Sequence, residues 1–331
     1  MAIKRSPFEK SVVYLRSVND GDVDSVVSEL MERCVWRDLV RPGSKVVIKP
    51  NLCAKEPDQI EMSDTDVRIT AAVCRTLRAR TDNIVIAESD HLRNSIWDTY
   101  QVTGYDRMAK QLGVRLVNLS EMPTQPVPCP PAGELLLPTI LLEADTLITL
   151  PVLKTHSLTY YTGALKNQWG CVPQYNRILL HKWLDALLVS LHRVFRPALT
   201  IMDGIVAMEG RGPVNGRPRR LDLLIASRDA VALDATAMRL VGLDPNCCKH
   251  IAMAGRAALG RFFPADIRVD GDWALHTTTF EPAVLDWAQA LMNYMSRYNW
   301  FVKLALENDS IFKPGRSVVQ FLRRIRLVAG A

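Results

Sequence analysis

The densest chemistry in this 331-residue chain directly follows the apolar run 147–153. Lys154, Thr155 and His156 come first, then Lys166 and Asn167 between Gly163 and Gly170, then Cys171, Arg177 and His181. Two lysines, an arginine and two histidines delivered after one strand would form a cationic pocket suited to a carboxylate or phosphate. Histidine can also move a proton near neutral pH. Lys154, His156, Lys166 and His181 are therefore the candidate catalytic residues, with Asn167 and Arg177 as candidate substrate-binding partners. A solvated loop with His181 packed on its helix would show the same composition.

Other clusters extend this set. Run 44–52 carries Lys49-Pro50-Asn51 near its end, and open parallel sheets present functional groups at the carboxyl ends of their strands. Lys49 and Asn51 are thus candidates for substrate binding, although a surface lysine and ordinary turn chemistry fit the same residues. Asp203-Gly204 closes the run 198–206, and Glu209-Gly210-Arg211-Gly212-Pro213 makes a turn. Gly210 and Gly212 would let backbone approach a ligand, or would simply turn the chain. Asp229 and Asp234 fall at the start of a predicted helix and about one turn inside it, so one can cap while the other points into the site. With Asp203 they are candidates to hold a metal or to orient a partner. His91 beside Asp90, His156 and His181 could add ligands, but no tight motif such as HExxH occurs. A divalent metal is accordingly a candidate cofactor, and the cofactor's identity stays unknown.

Elements that could position these groups alternate along the chain. Strand 11–18 is followed by a helix near 22–34 and strand 44–52. Helix 65–78, strand 82–89, a mostly helical stretch 95–112 and strand 114–121 come next. Beyond 122–134, which is crowded with proline and reads as a surface excursion or lobe connection, strand 145–153, helix 179–195, strand 198–206 and a strand–turn–helix over 221–242 continue the rhythm. The pattern predicts an α/β fold: a mainly parallel sheet flanked by helices, in Rossmann-like lobes, with a helical C-terminal extension. The expected lobes are 1–125 and 126–275, the second holding most of the motif residues, and 276–331 is the extension.

Bulk composition narrows the partners. Five of the 41 basic residues (Lys313, Arg316, Arg323, Arg324 and Arg326) sit in 312–331 without an acid, and the remaining bases nearly balance the 35 acids. The formal charge of +6 is therefore local to the tail, and nucleic acid is not an expected partner. Seven cysteines without zinc or ferredoxin spacing read as reduced thiols, mostly buried fillers, with Cys171 set apart by its place inside the polar motif. The chain shows neither a long apolar signal core nor a spanning apolar run, so a cytoplasmic location is expected. Trp287, Leu291, Tyr294, Tyr298, Phe301 and Ala305 form an aromatic helical stripe. A second amphipathic stretch follows through Val318, Phe321, Leu322, Ile325 and Val328. These helices could pack on the core, join a second subunit in a homo-oligomer, or place the protein at a membrane surface.

Taken together, Lys49-Pro50-Asn51-Leu52, Leu150 through His156, Leu165-Lys166-Asn167 with Gly170, Asp203-Gly204, Gly210 with Gly212-Pro213, and Ser227 through Asp234 resemble the family catalogued as domain of unknown function 362. The resemblance covers about residues 44–260. Many members of that family resemble redox proteins through an added ferredoxin-like segment with clustered cysteines. This chain has no such cluster, which implies no intrinsic iron–sulfur centre. The stretch from Lys166 to His181 is also loosely similar to the nickel-pincer lactate racemase family, whose lysines and histidines hold a cofactor and shuttle a substrate proton. The expectation is an enzyme of acid–base or redox type, an oxidoreductase or an isomerase, acting on an anionic small molecule. A non-catalytic binding or delivery protein would use the same pocket.

Overall fold

In a computed structural model, residues 10–18, 22–91, 95–174, 176–284, 290–291 and 294–306 are described. Among them, ten strands build one mixed sheet. Its path runs β12 (Ile267–Asp270), β1 (Ser11–Ser17), β11 (Arg217–Ser227), β10 (Leu199–Glu209), β7 (Thr146–Leu150), β2 (Val46–Pro50), β3 (Ile84–Glu88) and β4 (Arg115–Asn118). The pairs from β10 through β7, β2, β3 to β4 are parallel, whereas β11 lies antiparallel between β10 and β1. Strand β8 (Val152–His156) continues from β7 beyond Pro151 and pairs with β10 and with the short β9 (Tyr160–Tyr161).

Side-chain alternation explains why helices cover both faces. In β2, Val46 and Ile48 point into one core and Val47 into another; in β3, Ile84 and Ile86 part in the same way from Val85 and Ala87. The first core is closed by α1 (Val23–Arg33), α3 (Val67–Leu77), α4 (Ile96–Val102) and α5 (Tyr105–Leu112), with the short α2 (Pro57–Ser63) preceding α3. The opposite face is closed by α8 (Leu184–Phe195) against one half of the sheet. Helices α9 (Ala230–Leu240) and α10 (Lys249–Arg256) cover the other half. The short helices α6 (Thr139–Leu142) and α7 (Gly163–Asn167) complete that layer. The observed architecture is therefore the expected α/β type with a mostly parallel sheet.

Two features depart from the expected element plan. The proline-rich stretch forms an antiparallel hairpin, β5 (Thr124–Pro128) with β6 (Glu134–Pro138). A two-stranded ribbon leaves one edge of each strand unpaired, and proline's missing N–H is harmless there. The expected lobe boundary at 125/126 falls inside β5. The large sheet is continuous across it, because β2 pairs with β7 and β1 pairs with β11 and β12. Of the aromatic stripe, Leu291, Tyr294, Tyr298 and Phe301 lie in described segments. Trp287 and the stretch Val318 to Val328 lie outside the described residues.

Asp229 ties the far end of the sheet together. Its carboxylate accepts from the Ala232 amide as the N-cap of α9, from the Ser11 hydroxyl of β1 at 2.6 Å and from the Arg261 amide at 3.0 Å. Removing it takes the N-cap acceptor from α9 and one acceptor from a buried hydroxyl. Asp229→Ala is expected to cost about 2 kcal/mol or more of stability, read as a lowered urea midpoint with an unchanged slope.

Candidate functional site

Strand order reverses direction at β2: the chain steps from β2 to β3 to β4 on one side, then returns to place β7 on the other. Crevices open at the carboxyl ends of strands at such a switch point. Here that crevice is a cavity of about 360 Å³. Lys154, His156, Lys166, Arg177 and His181 all line it, with Asn51, Cys53, Glu88, Asn167 and Trp169 among the other walls. Residues more than a hundred positions apart thus meet around one space.

The cations differ sharply in how they are held. Lys49, fully buried, donates to Glu88 Oε2 at 2.6 Å, to the Pro50 carbonyl at 3.1 Å and to Asn167 Oδ1 at 3.1 Å. Lys154 donates to the Ser63 carbonyl at 2.7 Å and lies 3.2 Å from Cys53 Sγ. Arg177 spends its guanidinium on Ser89 Oγ and the Val172 carbonyl, both at 2.6 Å, and on the Asp90 carbonyl at 3.1 Å. Lys166 forms no hydrogen bond or ion pair among the described residues. Burial, with Lys154 and Arg177 adding to it, drops its pKa to about 7. Among the described residues Glu88 is the one carboxylate on the cavity wall, and it is paired with Lys49, so Lys154, Lys166 and Arg177 outnumber the negative charge there.

Three histidines line the cavity: His91, whose pKa burial and then Arg177 push down to about 3, and His156 and His181, which are also disfavoured as cations. Nδ1 of His156 accepts the Leu158 amide at 3.0 Å and the Thr159 amide at 3.4 Å, which assigns the proton to Nε2. Burial, then Lys166 and Lys154, hold its pKa well below the usual histidine value. His181 packs on Trp169 with ring centroids 5.7 Å apart, and burial with Lys166 and Arg177 pushes its pKa down to about 3. His156 accordingly carries an N–H at Nε2 and has little basicity.

Position comes from a neighbouring helix. Asp234 of α9 accepts the Ala164 amide at 2.7 Å and the Leu165 amide at 3.0 Å, fixing the first turn of α7, which carries Lys166 and Asn167. Gly163 sits at φ +62°, where an added Cβ would run into Asp234 and Tyr161. Burial raises the Asp234 carboxyl to about 7. Asn167 locks the other end of α7 by donating to Thr149 Oγ1 at 2.8 Å and to the Lys49 carbonyl at 3.2 Å.

Other residues named from the sequence sit elsewhere. Asp203 accepts the amides of Asp66 at 2.8 Å and Ile205 at 3.0 Å, inside the sheet and away from the cavity wall, and burial lifts its pKa to about 7. Asp229 serves as the helix cap described above. Gly210 and Gly212 do not line the cavity. Gly212 packs against the Thr155 carbonyl, its own carbonyl accepts from Ser157, and the turn delivers Pro213 and Val214 to the wall. Among the described residues no group of three or more His, Cys, Asp or Glu side chains converges as a metal site. Cys171 is fully buried with its thiol pushed up to about 12, and the cysteine on the cavity wall is Cys53. Sequence reasoning missed Cys53, Glu88, Trp169 and Asp64. Glu88 ends a predicted strand, so the strand-end rule that selected Lys49 would have found it.

A sequence profile of the family described as Domain of unknown function (DUF362) matches residues 46–239. The chain belongs to this family. The matched region of this DUF362 chain contains the whole cavity wall. It is 29% identical over 229 residues to a thylakoid-associated protein of Synechocystis, covering 67% of this chain and 70% of that one. The lactate racemase apoprotein of Thermoanaerobacterium thermosaccharolyticum aligns with a TM-score of 0.41 at 12% identity, over 61% of this chain. The chain spans about half, 52%, of that structure's length.

An unpaired, enclosed ammonium costs stability, and its pH signature is specific. A lysine whose folded pKa is about 7 against an ordinary 10.5 is penalised fully below pH 7, and the penalty fades as pH rises from 7 to 10.5. Lys166→Met is therefore expected to melt higher than the parent at pH 6, with the gap closing toward pH 10. Melting curves across that range check it.

Proposed function

We propose that this DUF362 chain is an enzyme that binds a small anionic molecule in the cavity and moves a proton on it. The observation that carries the reading is the charge balance of the wall: Lys154, Lys166 and Arg177 line one cavity whose sole carboxylate among the described residues is taken by Lys49. A carboxylate or phosphate would supply the missing negative charge. The Nε2–H of His156 would then donate to an oxygen of the ligand and stabilise charge developing there. Lys166, with a pKa near 7, is the group able to give or take a proton at neutral pH. Cys53 remains a thiol next to Lys154, since burial raises its pKa to about 11.

Calorimetric titration with inorganic phosphate and with oxalate tests the binding half. The parent is expected to bind at least one of them with one site per chain. Lys154→Met should weaken binding about tenfold or more, since it removes one charge-assisted partner from an enclosed site. Failure of both anions to bind, or unchanged affinity in the variant, overturns the reading.

A second reading concerns where the protein works. Leu291, Tyr294, Tyr298, Trp300 and Leu304 are each exposed by 43% or more in one short segment, next to Arg297 and Lys303. Amphipathic aromatics beside cations suit a membrane interface carrying anionic lipid, and the Synechocystis relative is thylakoid-associated. Among the described residues no helix is long and apolar enough to cross a membrane, so the contact would be peripheral. Full-length protein should float with anionic vesicles, and a Tyr298→Ser, Trp300→Ser double variant should float less. Equal flotation of the two removes the idea.

A further inference from the structure

We infer that Lys166 is a nucleophilic amine that forms an imine with a small 2-oxo acid bound in this cavity. The inference rests on the anionic-ligand reading above and adds to it the electrophile and the atom that attacks. Three observations support it together. The lysines differ in engagement: Lys49 has three acceptors and Lys154 two contacts, whereas the Lys166 amine has none among the described residues. Its backbone is held on both sides, by Asp234 on the amides of Ala164 and Leu165, and by Asn167 bonded to Thr149 and Lys49. An amine carried on a fixed backbone and free of hydrogen-bond partners among the described residues keeps its lone pair available. Its cationic neighbours disfavour the ammonium form, consistent with the pKa near 7.

The surroundings match the other half of such a ligand. Lys154 and Arg177 supply positive charge for a carboxylate, and His156, on the same wall with its proton on Nε2, could donate to a carbonyl oxygen. In the step itself, the Lys166 nitrogen lone pair forms a bond to the carbonyl carbon while the C=O π pair moves to oxygen. That oxygen gains a proton and the nitrogen loses one, giving a carbinolamine. Loss of the oxygen as water then leaves the C=N bond. The condensation consumes one amine and one carbonyl and releases one water, with no oxidant or reductant.

The test uses the intact protein, glyoxylate as the smallest 2-oxo acid, and cyanoborohydride to reduce any imine to a stable secondary amine. Peptide mass mapping after short exposure reads the rate at each lysine. Lys166 is expected to label at least about tenfold faster at pH 7 than the exposed Lys182 and Lys303, because a lowered pKa raises its free-amine fraction. Its rate should rise with a midpoint near 7, and Lys154→Met should slow it. Labelling of Lys166 no faster than at Lys182, or only at the alkaline pH ordinary lysines need, overturns the imine. Parallel titration with oxalate, which has no electrophilic carbonyl, separates the two claims. Oxalate bound without preferential labelling removes the imine and leaves the anion site, whereas loss of both removes both.

Discussion

The site depends on the buried ion pair between Lys49 and Glu88. The two residues sit at the ends of adjacent parallel strands, β2 and β3, and their 2.6 Å contact closes the floor of the crevice. Taking both charges out of water is expensive, and the pair repays that cost only if the remaining donors and acceptors are satisfied. They are: Lys49 also reaches the Pro50 carbonyl and Asn167, and Glu88 Oε1 accepts the Ser89 amide at 2.8 Å. Gly170 fits against the pair, since a Cβ there would overlap Glu88 and crowd Lys49. The pair therefore works as a connector. Through Asn167 it sets where α7 ends, and α7 sets where Lys166 points.

From that connector the charge logic of the cavity follows. Glu88 is held by Lys49, and burial first, with the neighbouring cations second, keeps the imidazoles neutral. Asp64 shows the same economy on the far side of Lys154. Its Oδ1 accepts the Cys53 and Ala54 amides at 2.6 and 3.0 Å, its Oδ2 has no hydrogen-bond partner among the described residues, and burial raises its pKa to about 7. Raised carboxyls at Asp64, Asp203 and Asp234 contribute stability that is present at low pH and falls as pH climbs from about 4 to 7. The depressed histidines act in the opposite sense below their ordinary value.

Much of the arrangement was legible in the sequence because strand ends and polar runs are local signals. Lys49, Lys154, His156, Lys166, Arg177 and His181 all follow apolar segments directly or within a short loop, and the parallel β–α rhythm implied that such ends converge. The rest depended on long-range packing. Asp234 reads in the sequence as a candidate to hold a metal or orient a partner, and its actual partners, the first amides of α7, appear only when α9 packs against α7. Asp203 looks like a site carboxylate until its two amide donors are found, Asp66 at the start of α3 and Ile205 within β10. Cys171 drew attention by its place in a motif, yet the turn of the chain after Gly170 buries it and leaves Cys53, whose local sequence is unremarkable, on the cavity wall. The two glycines of the 209–213 turn shape the wall through Pro213 and Val214 without touching it.

The tautomer of His156 constrains any reaction this cavity runs. A histidine that must accept two backbone amides at Nδ1 cannot take a second proton there without breaking both contacts, so it offers Nε2–H and little basicity. His181, pressed against Trp169 and next to Lys166, is also disfavoured as a cation. With the imidazoles removed as strong bases and the Cys53 thiol held high, the group on the wall whose two protonation states are both populated near pH 7 is the amine of Lys166. In the proposed reading, proton traffic and ligand charge would meet at one nitrogen: as an ammonium it would help hold an anion, and as an amine it could accept a proton from that anion's carbon or attack its carbonyl. The opposing demands are reconciled by a pKa placed between them, and that placement comes first from burial and then from the neighbouring charges of Lys154 and Arg177.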